Sequence, residues 1–338
     1  TTKQYLLLKA AVPNTPVFTG ANGSAPSVDA NTTIVSTSIS SAATTYSVIG
    51  LEQSTAYNFV LIPYTYDGTN SSTYNYLTAS APTVSASTTA GAAPSLSVPT
   101  VTSITITSAV LGATVDNDGG SSLTSRGTVY STVSPATISN NLLAEGGTSV
   151  ATFSHIRTGL SPETKYYFKG YASNSAATGL TSESSFFTLS NPPTSAVSSL
   201  VANSTSGEQV NLSWSAASFP STGATVNGYV IIRSLYPSVP TLSNSNGQAA
   251  VASSGTTIVS TSVAGTSVTA SVEGLTGSTQ YNFAVVPFTW DGVNVATYNY
   301  YTTSVPTANT TTLSSTPADQ PTALAFTSIT CNGMTAGW

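Results

Sequence analysis

One ten-residue stretch decides the fold of this chain: Gly159-Leu160-Ser161-Pro162-Glu163-Thr164-Lys165-Tyr166-Tyr167-Phe168. Its Tyr166 and Phe168 lie two positions apart, which is the period of a β-strand whose alternate side chains share one face. The same pattern, a Gly-Leu pair followed by Tyr and then Phe at the same spacing, recurs at two other places: Gly50-Leu51 with Tyr57 and Phe59, and Gly274-Leu275 with Tyr281 and Phe283. The recurrence indicates related β units along the chain.

The first and last copies of this motif belong to a long duplication. Shifting the chain by 224 residues makes 37 of the 84 positions from 5 to 88 identical to the later copy, without a gap. Residues 32–38 recur letter for letter as residues 256–262. Shared composition does not produce such an alignment, so one module is present twice. A different module lies between the two copies, at about residues 94–189.

Short alternating segments and turn clusters fill the rest of the chain. Val210, Leu212 and Trp214 alternate with polar residues, as the side chains of a half-buried strand do. Clusters such as Asp118-Gly119-Gly120 are typical of turns, because these residues tolerate positive φ. A sustained 3.6-residue apolar period is missing from the sequence, and strong helix formers are few. The pattern predicts an all-β fold of tandem antiparallel β-sandwiches with no helix longer than a turn or two.

The composition excludes several classes of function. Charged residues make up 6% of the chain, with 7 Lys plus Arg against 12 Asp plus Glu. Such a chain has no basic surface for nucleic acid or for an anionic membrane. No stretch approaches the roughly 20 apolar residues of a membrane span, so none is expected in this segment. The single cysteine, Cys331, permits neither an internal disulfide nor a cysteine-based zinc cluster.

The corner motif carries a family resemblance. The Gly-Leu-x-x-x-Thr-x-Tyr-x-Phe pattern resembles the E to F corner of fibronectin type III domains, and the segment ending at Trp214 resembles their second strand. The middle module, with Arg126-Gly127 and residues 171–176, is similar to fibronectin-like repeats of bacterial cell-surface proteins exported by type IX secretion. The flanking modules resemble repeats of the same proteins, including gliding-type adhesins. The resemblance implies immunoglobulin-like sandwiches in an extended array, an extracellular or cell-surface location, and a structural or adhesive function.

The sequence divides into four parts. Residues 1–90 are predicted to be a fibronectin type III-like module that lacks its first strands, because the duplication leaves residues 192–214 without a counterpart. The other parts are a second, different module at 91–190, a complete copy of the first type at 191–313, and the first strands of a further module at 314–338. In this last part Pro321, Leu324, Phe326 and Trp338 resemble residues 193–214. We expect neighbouring modules of the same chain to complete both ends; the alternative is strand donation between adjacent chains.

The aromatic residues have two different predicted roles. Tyr57, Tyr166 and Tyr281 are expected to be tyrosine corners, in which the ring fills the core edge and the hydroxyl reaches nearby backbone. A second group lies in or beside the Tyr-Asp-Gly and Trp-Asp-Gly loops and either stacks on sugar rings or packs within and between modules: Tyr66, Tyr76, Trp290 and Tyr300. The sugar-binding alternative implies carbohydrate-binding accessory modules of a secreted multidomain enzyme, with surface polysaccharide as the partner.

Candidates for chemistry are few. Asp116 and Asp118 have the spacing that opens a calcium loop, but the distant Glu of that loop is missing, and a turn explains them equally well. Apart from that calcium, no cofactor is expected. The only histidine, His155, is predicted to be an exposed strand residue, and the adjacent Ser154 points to the opposite face. No nucleophile, base and electrophile can be assembled, so no catalytic residue is expected and the chain is predicted not to be an enzyme.

Overall fold

The computed structural model describes residues 2–243, 246–315 and 324–337, and this part of the chain is all-β. Its only helices are two single turns of 3₁₀ helix, Ser71–Thr73 and Val295–Thr297. No helix in the described ranges is long and apolar enough to span a membrane. The strands form antiparallel sheets arranged as tandem β-sandwiches, so the predicted fold class is confirmed.

The second unit, residues 95–187, is a complete two-sheet sandwich. Its strands are β6 Ser95–Leu96, β7 Thr100–Thr102, β8 Ser108–Asn117, β9 Ser125–Ser131, β10 Leu143–Ala144, β11 Thr152–Thr158, β12 Lys165–Ser173, β13 Thr178–Leu180 and β14 Ser184–Phe187. In one sheet β8 pairs with β6, β7 and β11; in the other β12 pairs with β9, β13 and β14, and β10 extends the edge beyond β9. Leu111, Phe168 and Phe186 fill the space between the sheets. On each of the strands β8, β12 and β14, residues two positions apart point to this same interior, which explains the period of two in the sequence.

The third unit, residues 198–311, adds a layer. Its strands are β15 Ser198–Ser204, β16 Val210–Ser215, β17 Val226–Leu235, β18 Thr256–Ala264, β19 Thr269–Val272, β20 Gln280–Trp290, β21 Asn299–Tyr300 and β22 Thr307–Thr311. A three-stranded sheet, β15-β16-β19, packs on a five-stranded sheet of β17, β18, β20, β21 and β22. The long loop after β17 covers the other face, where Leu242 and Ala250 pack on Ile232 and Val286.

The first unit reproduces only the five-stranded sheet of the third. Its strands are β1 Thr2–Ala11, β2 Thr33–Ser40, β3 Ala56–Tyr66, β4 Asn75–Tyr76 and β5 Thr83–Ser87. The register is the same, since Tyr5 faces Pro63 as Tyr229 faces Pro287. A loop covers the face that carries Leu6. No second sheet lies on the opposite face within the described residues, so that face of the first sheet is open.

The last described residues form a short hairpin. Its strands are β23 Ala325–Thr327 and β24 Thr335–Gly337. Phe326 pairs with Ala336 as Val101 pairs with Leu111, so a shift of 225 residues carries β7–β8 onto this hairpin in register. Ser328 has the positive φ of 50° that its counterpart in the second unit also has. The register fits the predicted resemblance to residues 193–214 equally well, because a shift of 124 residues carries the pairs of β15–β16 onto the same hairpin. That comparison therefore stays a prediction, and Pro321 and Trp338 lie outside the described residues.

Candidate functional site

The three corner tyrosines share one geometry. Their side chains are at most 6% exposed, which places the rings in the cores. Each hydroxyl accepts a hydrogen bond from the backbone N–H five residues earlier, with N to Oη distances of 3.0 Å for Glu52 and Tyr57, 2.9 Å for Ser161 and Tyr166, and 3.2 Å for Thr276 and Tyr281. A ring in the core with its hydroxyl on local backbone is the arrangement of a tyrosine corner, which stabilises the fold.

A threonine just after the last strand of each unit completes the corner, and sequence reasoning did not identify it. Thr188 is fully buried, and its hydroxyl donates to the carbonyl oxygen of Ser161 at 2.6 Å. The same hydroxyl accepts from the N–H of Thr164 at 3.0 Å. Equivalent pairs of bonds occur at Thr88 and Thr312. Identity of these two threonines under the 224-residue shift was the signal that could have identified them.

The aromatic residues of the Asp-Gly loops stack on one another. In the first unit the ring centroids of Tyr66 and Tyr74 are 4.1 Å apart, and those of Tyr74 and Tyr76 are 5.6 Å apart. The third unit has the same row, with centroid distances of 4.6 Å for Trp290 and Tyr298 and 5.5 Å for Tyr298 and Tyr300. We call these rows the aromatic ladders. Each ladder uses ring faces for packing within its unit.

The two ends of each ladder differ in accessibility. Tyr76 and Tyr300 are buried, and their hydroxyls donate to the carbonyl oxygens of Ser24 at 2.9 Å and Gln248 at 3.1 Å. Tyr66 and Trp290 lie at the outer ends and are half-buried. The structure therefore does not present Tyr76 and Tyr300 to a ligand, and ligand contact stays a prediction for Tyr66 and Trp290.

The two aspartates of the predicted calcium loop have separate partners. The hydroxyl of Ser97 donates to both carboxylate oxygens of Asp116, at 2.6 and 2.8 Å. Asp118 accepts from the N–H of Gly120 at 2.9 Å, within the turn after β8. The described residues contain no group of three or more His, Cys, Asp or Glu side chains placed to hold a metal ion. The turn that the sequence offered as the alternative accounts for Asp118, whereas Asp116 lies in strand β8, and calcium binding stays a prediction.

His155 is half-buried on the inner face of β11, so the prediction of an exposed histidine is wrong. Its Nε2 lies 2.7 Å from the hydroxyl of Thr128. Phe153 and Arg157 point to the same inner face, whereas Ile156 is 59% exposed. Burial, followed by the positive charge of Arg157, lowers the pKa of His155 below its ordinary value. The surroundings of His155 thus favour the neutral form of its imidazole.

Two buried arginines belong to the same unit as this histidine. Arg157 donates from Nη1 to the carbonyl oxygen of Thr128 at 2.9 Å, and its guanidinium lies 4.7 Å from the ring centroid of Tyr130. Arg126 forms an ion pair with Glu145 at 3.0 Å, and this hydrogen bond is the main cause of a lowered Glu145 pKa. The arginines satisfy backbone and side-chain acceptors inside the unit, which favours a structural role for both.

The linker between the second and third units is buried and hydrogen-bonded. Ser190 is fully buried; its N–H donates to the carbonyl oxygen of Thr297 at 2.9 Å, and its own carbonyl accepts from Asn299 Nδ2 at 2.7 Å. Asn191 donates from its N–H to the carbonyl of Gly223 at 2.6 Å and accepts at its carbonyl from the Thr289 hydroxyl at 2.7 Å. Both linker residues are therefore held by the third unit.

Glu163, in the corner of the second unit, adds a side-chain connection across this junction. Its carboxylate accepts from the hydroxyl of Ser190 at 2.6 Å. It also accepts from the N–H of Thr225 at 3.0 Å and from the hydroxyl of the same residue at 2.7 Å. The corner loop thus stabilises its own unit through Tyr166 and binds the next unit through Glu163.

The junction between the first and second units also rests on a corner loop and a held linker. Asn174 donates from Nδ2 to the carbonyl oxygen of the linker residue Ala92 at 2.7 Å, and Gln53 in the first corner donates to the hydroxyl of Ser175. A Cβ atom at Gly179 would overlap the carbonyl oxygen of Pro94. The linker therefore follows a path that a side chain at that glycine would block.

Comparisons with known proteins add little to this geometry. No family model matches the chain, and no curated protein matches it. Among solved structures, the chain is similar to a crystal structure of the FN1-FN3 domains of chicken CNTN1, with 14% identity over 92% of this chain and 95% of that chain and a TM-score of 0.34. A score this low supports no functional conclusion. The tandem fibronectin type III-like β-sandwiches are accordingly identified from the chain's own strand order and register.

Proposed function

We propose that this chain is a non-catalytic structural and adhesive repeat region of a long extracellular bacterial surface protein or filament. The observation that carries the proposal is the buried linker at residues 189–191, whose backbone is bonded to the third unit on both sides of Ser190. A linker held in this way limits rotation between neighbouring units. Limited rotation suits a spacer that holds its ends at a fixed separation.

The first unit supports a repeating array. Thr65 and Asn75 occupy the positions of Thr289 and Asn299, the two side chains with which the third unit binds its linker. Asn75 is exposed. The first unit therefore offers the same two polar groups to a linker from another unit of the middle type. Partners of this kind, neighbouring modules of the same or adjacent chains, are those expected of a surface array.

A distance measurement across the junction tests the spacer. Paired spin labels at exposed Val133 and Val239, in a Cys331→Ser background, report the separation of the second and third units. A single narrow distance distribution is expected. The double variant Glu163→Ala and Asn299→Ala should broaden it, because four hydrogen bonds across the junction are then lost. A broad distribution in the unsubstituted junction would refute a rigid spacer.

A second function, carbohydrate binding, rests on the outer ends of the aromatic ladders. Trp290 is half-buried and stacks on Tyr298 through one ring face, so the other side of the indole is the surface that a sugar ring would contact. Retention on insoluble polysaccharide tests this function. Trp290→Ala should abolish retention, and a variant retained as well as the parent chain would rule out this site.

A further inference from the structure

The open face of the first sheet is apolar and grooved. The groove has a volume of about 540 Å³, and its lining includes Tyr5, Leu7, Phe59 and Leu61. These four side chains are half-buried. Their counterparts under the 224-residue shift, Tyr229, Ile231, Phe283 and Val285, are at most 1% exposed. The same sheet position is therefore part of a closed core in one copy of the module and an accessible surface in the other.

The third unit shows what covers this face. There the hairpin β15–β16 places Val210, Leu212 and Trp214 in the core cluster that contains Tyr229. The ring centroids of Trp214 and Tyr229 are 5.5 Å apart in an edge-on contact, and the hydroxyl of Tyr229 accepts from the N–H of Ala217 at 3.0 Å. Tyr5 occupies the position of Tyr229 in the first unit, so the receiving side chain of this contact is retained.

A second observation points to the same occupant. Residues 45, 47 and 48 are identical to residues 269, 271 and 272. In the third unit that segment is strand β19, which pairs with β16. In the first unit residues 45–48 form no strand. The same residues thus adopt strand structure where the hairpin is present, and the first unit has both an apolar face and a strand-forming edge that lack this partner within the described residues.

We propose that the open face of the first unit binds a β-hairpin of the β15–β16 type. The occupant is defined by its chemistry: a hairpin whose two strands are uncharged, with alternate apolar residues on its inner face and an aromatic residue at the place of Trp214, facing Tyr5. Its second strand adds main-chain hydrogen bonds to residues 45–48, as in β-strand addition. This interaction is independent of the spacer and carbohydrate functions proposed above.

The pairing in the third unit fixes which amides would bond. The N–H of Trp214 donates to the carbonyl of Val268 at 2.9 Å, and alternate pairs of an antiparallel ladder exchange both bonds. Ala270 and Val272 therefore direct their N–H groups to β16, and Ser271 directs its N–H away. In the first unit the corresponding residues are Tyr46, Val48 and Ser47.

The test uses the full chain and a synthetic peptide of residues 193–217. We expect saturable one-to-one binding by calorimetry, and slowed hydrogen exchange at the amides of Tyr46 and Val48 but not at that of Ser47. The matched variants are Val48→Pro and Ser47→Pro, neither of which interrupts a strand of the free chain. Val48→Pro removes a donor and an apolar side chain and should weaken binding at least about tenfold, whereas Ser47→Pro should change it less than about threefold.

Three results would overturn the proposal. The first is an absence of saturable binding. The second is equal binding of the peptide to the two proline variants. Protection from hydrogen exchange confined to the third unit counts equally against the proposal, because the peptide has then replaced the third unit's own hairpin. The third is protection of Tyr46 and Val48 without peptide, rising with protein concentration, because the face is then covered by another copy of the chain, such as its hairpin β23–β24. A peptide with Leu212→Asp serves as the negative control.

Discussion

Replacing Asn299 by alanine tests the junction between the second and third units. Its Nδ2 donates to the carbonyl oxygen of Ser190 at 2.7 Å, and both residues are at most 5% exposed. Losing a hydrogen bond costs about 0.5–1.5 kcal/mol, and leaving a buried acceptor without a donor costs about 1–3 kcal/mol. We therefore expect the third unit to lose about 2 kcal/mol of unfolding free energy in the intact chain.

Native-state hydrogen exchange measures this loss unit by unit. The slowest amides of β17 and β20 should exchange about thirtyfold faster in Asn299→Ala, since 1.4 kcal/mol corresponds to a factor of ten. The matched control is Asn75→Ala, which truncates the same residue at the same place in the first unit, where it is exposed. There the amides of β1 and β3 should change by less than about 0.5 kcal/mol. Equal effects of the two substitutions would refute the reasoning.

Three further changes act on the second unit and its linker. Thr188→Val removes a fully buried hydroxyl that donates to the carbonyl of Ser161, and should cost about 1–3 kcal/mol by hydrogen exchange of β12. The pKa of His155 is lower in the folded than in the unfolded state, so below about pH 6.5 the unfolded state binds a proton that the folded state does not. Lowering the pH below that value should therefore lower the thermal stability of the second unit, and His155→Gln should remove this loss. Gly179→Ala puts a Cβ onto the carbonyl of Pro94 and should speed proteolysis of the first linker at least about tenfold.

Each of these expectations has a contrary outcome. Thr88 makes the same two bonds at a half-buried position, so Thr88→Val should lower the unfolding free energy of the first unit by less than Thr188→Val lowers that of the second. Equal losses would show that burial of the hydroxyl does not determine the effect. If the stability of the second unit did not fall as the pH is lowered from 6.5, the lowered pKa of His155 would be contradicted. Unchanged cleavage of Gly179→Ala would show that the linker does not depend on that contact.

Alternation alone was enough to predict the strands around the corner motif. Tyr166 and Phe168 are buried with a less buried residue between them, because successive side chains of a strand point to opposite faces. The same rule holds at β11, but the prediction that His155 faces solvent chose the wrong face of the strand. The apolar Ile156 is exposed, and the guanidinium of Arg157 is buried, where Thr128 and the Tyr130 ring satisfy it. That partner set comes from β9 and cannot be identified from β11 alone.

The junctions could not be predicted from the sequence for a related reason. Asn299 and Ser190 are 109 residues apart, and Glu163 and Thr225 are 62 apart. Neither pair has a local sequence signature, since both depend on how one sandwich meets the next. The corner motif, by contrast, joins residues five positions apart, so the local sequence was enough to predict that the Tyr166 hydroxyl reaches nearby backbone, which proves to be the N–H of Ser161.

The composition of the junctions has a consequence for the conditions in which an array of this kind can work. Apart from the carboxylate of Glu163, which accepts from the neutral groups of Ser190 and Thr225, the bonds at this junction join amides, hydroxyls and carbonyls. No ion pair contributes to either described junction. Dissolved salt screens attraction between charged groups but leaves neutral hydrogen bonds largely unaffected. The separation between the second and third units should therefore be the same in dilute buffer and in concentrated brine.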